Sequence, residues 1–483
     1  MNLKELLKDI SAKIYGKVST LEVRNFTRDS RYVGVGDIFI ACRGSRYDGN
    51  DFAADAVNHG AIAILSSLYN PFLSVVQIIT PNVEQLEAEL ASKFYGYPSR
   101  KLHVIGVTGT NGKTTVTYLL KVLLDYCKKP SGLVGTIEHF LGNESFHDNF
   151  TTPTACLLQK YFAEMVKNHR EAVAIEVSSI GLALDRVAQT DFNVGVFTNI
   201  SLDHLDFHKS FKNYIEAKEK LFKILPQTGV AVINADSLYA TRLCKMSSSR
   251  YVTYGIKEHA DYQACEILLT SSGTRYSLLH KRKKYFCNTA FIGRYNVYNT
   301  LAAIAAIHES GFCNLPELLE AIKNVQLPKG RLEPILMGHC PVYIDYAHTP
   351  HALSNVLSVL QELLSPKGKL IIVFGCGGDR DRSKRRMMAK VAERFGFSVV
   401  TSDNPRNEDP EEIIKEICQG FLTKNYCVEV DRKQAISKAI SLASNEDIIL
   451  IAGKGHETYQ IFKHQTISFN DKQIVSEVLA SYV

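Results

Sequence analysis

His103-Val104-Ile105-Gly106-Val107-Thr108-Gly109-Thr110-Asn111-Gly112-Lys113-Thr114-Thr115 decides the fold of this chain. An apolar run ends in glycines, Lys-Thr-Thr follows, and an amphipathic stretch comes next. The pattern predicts a strand, a tight loop and a helix N-terminus. Glycines let backbone N–H groups converge on phosphate oxygens, and the helix end adds partial positive charge. Lys113 adds a full charge, and Thr114 offers a hydroxyl to Mg²⁺. The predicted ligand is ATP or GTP. Val116, Leu119, Leu120, Leu123 and Leu124 fall on one face of the expected helix. The loop departs from the spacing Gly-x-x-x-x-Gly-Lys-Thr. That spacing puts a glycine at 107, where Val107 stands, and the upstream glycine is Gly106.

The chain has 483 residues, enough for about two to four domains. Apolar residues make up 45% and charged residues 22%, the balance of a soluble globular protein. No apolar run approaches the ~18 residues of a membrane span. The start, Met1-Asn2-Leu3-Lys4-Glu5, reads as a charged helix rather than a secretion signal. The eleven cysteines are scattered without a Cys-x-x-Cys pair, which predicts reduced thiols, a cytoplasmic location and no zinc site. A net charge of +6, dispersed along the chain, argues against a nucleic-acid partner and suits small anionic substrates.

Three α/β domains are expected. A smaller N-terminal one spans 1–100, with strands at 37–42 and 61–65, and closes at the Gly- and Pro-containing linker 95–100. A central domain, 101–331, opens with the phosphate loop. Its strands at 172–177, 194–199 and 229–234 alternate with helical patterns, the mark of a P-loop-type, doubly wound, mostly parallel sheet. A helix at 295–308 follows. The C-terminal domain, 332–483, reads as Rossmann-like, with strands at 342–345, 370–374, 398–401 and 448–452. Its helix after the third strand has Asp409 as N-cap, Pro410 at the first position and Glu412 to complete a capping box. Ligands of such sheets sit at the carboxyl ends of strands.

The chemistry-bearing residues fall at those ends. Glu176 closes an apolar strand and is a candidate Mg²⁺ ligand. Asp203-His204-Leu205-Asp206-Phe207-His208 reads either as a polar helix start capped by Asp or as a metal or triphosphate site. Lys218, in the helical segment 214–222, reads by itself as a solvated surface lysine.

Gly109–Thr115, Glu176-Val177-Ser178-Ser179, Asp203-His204-Leu205-Asp206 and Glu216-Ala217-Lys218, in this order, resemble the successive signatures of the Mur ligase family. These are ATP-dependent amide-forming enzymes of peptidoglycan precursor synthesis, and the family's loop carries the same displaced glycine. The resemblance implies that Lys218 is carbamylated by CO₂ to N6-carboxylysine, an anion able to ligate Mg²⁺. It implies Thr114, Glu176 and His204 as further metal ligands, and Lys113 as the catalytic cation of the loop. By the same resemblance ATP is held by Gly109, Thr110, Asn111, Gly112, Lys113, Thr114 and Thr115. Further contacts are implied at Asn296 of Gly293-Arg294-Tyr295-Asn296, Arg331 of Gly330-Arg331-Leu332-Glu333, and Asp345 of Asp345-Tyr346-Ala347-His348-Thr349-Pro350.

Ser402-Asp403-Asn404-Pro405-Arg406 is similar to the motif of those members that add meso-diaminopimelate to UDP-N-acetylmuramoyl-L-alanyl-D-glutamate. Diaminopimelate differs from lysine by a distal carboxylate, which an Arg guanidinium can clamp bidentately. The resemblance implies diaminopimelate contacts at Arg380, Asp403, Asn404, Pro405, Arg406, Gly453 and Glu457, with Glu457 facing the distal ammonium. It implies nucleotide-sugar contacts at Ser30, Ser45, Arg46 and Tyr47, and muramoyl-dipeptide contacts at Thr151, Thr152, Ser178 and Arg186. Three positions depart from the pattern: Ile180 replaces a His, Leu184 a Gln and Phe150 an Asn. The implied reaction activates the D-Glu carboxylate as an acyl phosphate, which the amine of diaminopimelate attacks. A lysine-adding or other Mur-family member, a folylpolyglutamate-type ligase, and a P-loop ATPase without ligase activity are the alternatives.

Overall fold

The computed structural model describes the chain except residues 19–20, 45–46, 148–149, 271–272, 327–328, 336–339 and 481–483. Ser45 and Arg46 therefore lie outside the described residues. The fold is α/β and divides into two compact units. One comprises Met1–Thr253 with Ala305–Cys313, the other Tyr254–Ile304 with Asn314–Val483.

The first unit holds two sheets. In the N-terminal sheet, Val76–Ile79, Ala63–Ser66, Ile38–Ala41 and Phe26–Thr27 run parallel in that order, and Lys13–Tyr15 pairs antiparallel with Val76–Ile79. Helix Val83–Phe94 packs against this sheet. From that helix the buried Glu87 accepts hydrogen bonds from Arg28 Nε at 2.9 Å and from Cys156 N at 3.1 Å. Cys156 belongs to helix Ala155–Lys167 of the central layer, so one carboxylate ties the two layers together.

The central sheet has five parallel strands in the order Val230–Asn234, Val194–Phe197, His103–Thr108, Ala172–Glu176, Ser131–Val134. Parallel strands covered on both faces read as unbroken apolar runs, and Ala172–Glu176 is buried along its whole length. The chain order reverses at His103–Thr108. The carboxyl ends beside that strand form the crevice where open α/β sheets place ligands. The displaced Gly106 lies inside this strand, not in the loop. A Cβ there would come within 2.5 Å of the Phe192 ring. The packing of that aromatic side chain is what Gly106 makes room for.

In the second unit, Val342–Asp345, Ile448–Ala452, Leu370–Phe374, Gly396–Val400 and Tyr426–Val428 run parallel in that order, with Glu333–Ile335 antiparallel at one edge. Alternation sorts Leu370, Ile372 and Phe374 into the core under helices Pro350–Leu363 and Ser383–Glu393. Ile371 and Val373 face the core under Arg432–Leu442 and Asp471–Ala480. Helices thus cover both faces, as in a Rossmann-like layer. At the helix Pro410–Cys418, Asp409 caps by accepting from Glu411 N at 2.8 Å. The Glu412 carboxylate takes Lys415 Nζ at 3.3 Å, so the cap forms without the reciprocal bond of a capping box.

This unit also contains an antiparallel ribbon that the sequence reading did not anticipate: Tyr262–Thr270, Gly273–His280 and Lys283–Thr289. A register shift between Cys265 and Leu268 breaks the period-two signal there. Helix Arg294–Glu309 extends the expected one by a residue at each end. None of the described cysteines forms a disulfide. Among the described residues no helix is long and apolar enough to cross a membrane.

Candidate active site

In the first unit the phosphate loop is held open by its neighbours. Gly109 has φ +149°, and a Cβ on it would overlap Thr198 Oγ1. Gly112, at φ +90°, starts helix Lys113–Tyr126 in the left-handed region that favours glycine. The loop is pinned to the segment after Val194–Phe197. Thr110 N donates to Asn199 O at 2.9 Å and Asn111 N to Asn199 Oδ1 at 3.0 Å. Thr198 Oγ1 and Asn199 Nδ2 both donate to Asn111 O, at 2.6 and 3.0 Å. Thr110 Oγ1 and the Tyr214 hydroxyl lie 2.9 Å apart. Lys113 Nζ curls over the loop and donates to Gly109 O at 2.9 Å and Thr110 O at 2.8 Å. Thr115 is buried on the first turn of the helix.

Glu176, fully buried at its strand end, is the hub of a hydroxyl cluster. Its Oε2 accepts from Thr114 Oγ1 and from Thr136 Oγ1, each at 3.1 Å, and its Oε1 from Thr136 N at 2.8 Å. Thr136 Oγ1 is also 3.0 Å from Thr151 Oγ1. Thr152 Oγ1 links Glu176 O at 2.8 Å to Ser178 Oγ at 3.0 Å, and Arg186 Nη1 donates to Thr152 O at 2.7 Å. The expected dipeptide residues Thr151, Thr152, Ser178 and Arg186 therefore form one connected group beside the phosphate loop. Phe150, one of the departures, has the Arg186 guanidinium over its ring at 4.9 Å.

Lys218 is not a surface lysine. It sits on the inner face of helix Phe211–Ile224, 2% exposed, and its Nζ donates to Gly109 O at 2.7 Å. Burial, reinforced by the charge of Lys113, holds its ammonium well below the ordinary lysine range. One carbonyl, that of Gly109, thus accepts from both lysines. His204 stands at the N-cap of the short helix Leu205–His208 with φ +53°, so the cap is His204 and not the expected Asp. Its ring lies 3.5 Å from Asp203 Oδ2, and burial is the main cause that lowers its pKa. A neutral imidazole is the form that ligates metal. His208 Nε2 lies 3.0 Å from Ser179 Oγ.

Oxygen donors dominate here. Thr114 Oγ1 and Glu176 Oε2 lie side by side, which fits the hard-cation chemistry of Mg²⁺. Among the described residues no three His, Cys, Asp or Glu side chains cluster closely enough to hold a metal by themselves.

The other expected nucleotide-sugar residues are further from this cluster in sequence. Ser30 is buried in a 3₁₀ turn capped by Asp29, and Tyr47 is largely exposed with its ring edge-on to Phe52.

The second unit carries a separate group of predicted residues. The Asp345 carboxylate accepts from Leu332 N at 2.6 Å and Ala347 N at 2.8 Å, and burial pushes its pKa up to about 6. The Arg331 guanidinium lies over the Tyr346 ring at 4.9 Å. Asn296 is buried, donating to Ile292 O at 2.9 Å and accepting from Asn299 Nδ2 at 2.9 Å.

The loops after Gly396–Val400 and Ile448–Ala452 meet. Asn404 Nδ2 donates to Glu457 Oε2 at 2.8 Å, and Gln460 Nε2 to Asp403 O at 2.7 Å. Gly453, at φ +113°, faces Asp403, whose Oδ2 would be 2.6 Å from a Cβ there. Arg406 takes φ +53°, held by its N–H to Ile461 O at 3.1 Å and by Nη1 to Gly378 O at 2.9 Å. Pro405 and Arg406 line a cleft with Phe462, Lys463 and His464. Arg380 is exposed on the neighbouring glycine loop, its Nη1 3.2 Å from Asp379 O. Sequence reasoning missed Thr136, Asn199, Tyr214 and Lys454, the last wholly buried between Asn404 and Glu457. Only Lys454 had a local signal, its place between two glycines.

Three family profiles match the chain in succession: "Mur ligase family, catalytic domain" at 22–95, "Mur ligase middle domain" at 107–307, and "Mur ligase, glutamate ligase domain" at 330–455. The chain is 65% identical over 483 residues, all of both chains, to the UDP-N-acetylmuramoyl-L-alanyl-D-glutamate–2,6-diaminopimelate ligase of Chlamydia pneumoniae. It is 40% identical to a ligase of that name from Clostridium acetobutylicum, covering 99% of each. A solved structure of a ligase with this name matches 100% of this chain and 99% of its own, with a TM-score of 0.70 and 30% identity. The MurF ligase of Thermotoga maritima, solved with ADP, shares the fold at a TM-score of 0.66 and 18% identity, over 96% of this chain and 100% of its own. The chain, matched by these profiles in succession and by full-length relatives, therefore belongs to the Mur ligase family.

Proposed function

We propose that this Mur-family ligase joins meso-diaminopimelate to the D-Glu carboxylate of UDP-N-acetylmuramoyl-L-alanyl-D-glutamate, in peptidoglycan precursor synthesis in the cytoplasm. ATP supplies the phosphoryl group of an acyl-phosphate intermediate. The observation that carries the acceptor is the fixed Arg406, set in a strained backbone beside Asn404 and Glu457. Full-length similarity to relatives named for this reaction supports the same reading. The domain boundaries near 100 and 331 belong to it.

Loop amides from Gly109 to Thr115 and the Lys113 ammonium bind the ATP phosphates and offset charge on the transferring group. Asn296, Arg331 and Asp345 are further nucleotide contacts. Ser30, Ser45, Arg46 and Tyr47 bind the uridine-diphosphate sugar, and Thr151, Thr152, Ser178 and Arg186 orient the dipeptide. Mg²⁺, held by Thr114, Glu176, His204 and carbamylated Lys218, would stabilise negative charge on the phosphates when bound. Carbamate formation needs a neutral amine, and the burial of Lys218 favours that form. No side-chain nucleophile is required, so positioning and electrostatics carry the catalysis. Arg380 and Arg406 clamp the acceptor's carboxylates, Asp403, Asn404, Pro405 and Gly453 are further contacts to diaminopimelate, and Glu457 faces its distal ammonium.

The test is phosphate release by the full chain with ATP, the UDP-dipeptide and a panel of amino acids. Release should require both the dipeptide and meso-diaminopimelate, with lysine slower by about 100-fold or more, since it leaves the guanidinium unmatched. Phosphate released without an acceptor would make the protein an ATPase instead.

A further inference from the structure

Lys454 is wholly buried in the second unit, a costly place for an ammonium unless partners compensate. Its Nζ donates to Glu457 Oε2 at 2.9 Å and to Asn404 Oδ1 at 3.0 Å. Asn404 Nδ2 donates to the same Glu457 oxygen at 2.8 Å, and Ile461 N donates to Asn404 Oδ1 at 3.0 Å. This closed triangle fixes two orientations. The amide of Asn404 has a single sense, because its oxygen takes two donors; reversal would set NH₂ against an ammonium and an N–H. Glu457 has Oε2 saturated by two donors, while Oε1 accepts no hydrogen bond among the described residues, and its side chain is 14% exposed.

We infer that Lys454 is a positioning residue of the acceptor site, resting on the acceptor reading above: it clamps one oxygen of Glu457 so that the other meets the distal ammonium of the incoming diamino acid. Complete burial and two committed hydrogen bonds make Lys454 a support for Glu457 rather than a ligand contact. The glycines on either side fit this role. Gly453 gives room to Asp403, and Gly455 adopts φ +54°, turning the chain so that Glu457 comes back over Lys454. The specificity of the site then depends on a residue that the acceptor does not touch.

The test compares meso-diaminopimelate with 2-aminopimelate, which keeps the attacking amine and distal carboxylate but lacks the distal amine. In the full-length wild type, kcat/KM should favour diaminopimelate by about 100-fold, the worth of one hydrogen-bonded charge. Lys454→Met should cut that preference to about threefold while changing the KM for ATP by less than about twofold. In the same background, Glu457→Gln should cost little more, because the two residues act as one unit. Should Lys454→Met fail to fold, Lys454→Gln, which keeps a donor without the charge, should still lose the preference by about tenfold. Equal losses for both amino acids, with the wild-type ratio preserved, would reduce Lys454 to a structural residue and overturn the inference. A wild type that ligates neither amino acid would instead overturn the acceptor reading itself.

Discussion

Two lysines share the Gly109 carbonyl, and their environments give them different tasks. Lys113 opens the helix at the rim of the loop and, in the function proposed above, meets phosphate. Lys218 is enclosed, and its lowered ammonium pKa leaves an amine that can add CO₂. Replacing Lys218 with Ala should lower ligation by about 10²–10³-fold. Added formate or acetate should restore part of it, the small carboxylate filling the place of the carbamate. Full activity in the variant, measured as tripeptide product, would remove the carbamate from the mechanism. Lys113 and Glu176 stood out in the sequence because one follows a glycine loop and the other ends an apolar run, and Arg406 stood out only through its similarity to a family motif. Thr136, Asn199 and Lys454 did not. Their partners lie 40, 88 and 50 residues away, and only folding brings them together.

At the scale of elements, the strand, loop and helix from His103 to Tyr126 separate two uses of glycine. Gly106 makes room for Phe192, and Gly109 makes room for Thr198 in a backbone that other residues avoid. Gly106→Ala should therefore destabilise the first unit by about 1–3 kcal/mol through overpacking. Its KM for ATP should stay near wild type, with the loss seen in thermal unfolding. Gly109→Ala should raise the KM for ATP about tenfold or more, because the loop amides lose their geometry. Equal effects on that KM from both substitutions would return Gly106 to the phosphate loop. Buried parallel strands announced themselves as apolar runs with sharp polar ends. The antiparallel strands Tyr262–Thr270, Gly273–His280 and Lys283–Thr289 stayed hidden because a bulge and an outward face carrying Glu266, Leu268 and Phe286 scramble their alternation.

At the scale of the molecule, neither unit is a continuous stretch of chain. The first is completed by Ala305–Cys313, after the second has begun at Tyr254. Within the first unit, His103 Nε2 lies 2.9 Å from Ser310 Oγ, its ring meets Phe312 edge-on at 4.6 Å, and Arg250 pairs with Glu309. Ile307 of the same segment is fully buried. A fragment ending at Thr253 should lose about 3 kcal/mol of stability, roughly one hydrogen bond plus one buried aliphatic side chain. Urea unfolding of the fragment against the first transition of the full chain measures this, and equal midpoints would show the returning segment to be dispensable. Composition offered a boundary near 331, through the Pro and Gly of 327–331. The return at Ala305 left no such mark, because it lies inside an unbroken helix.

That return also sets a timetable for synthesis. A nascent chain usually folds its earliest domain while the next is being made. Here the nucleotide cradle is translated early, yet its last supporting segment leaves the ribosome only after residues 254–304 have emerged. The first unit must wait, partly assembled, for a piece of itself delivered late, and a chaperone that shields exposed apolar surface would act in that interval.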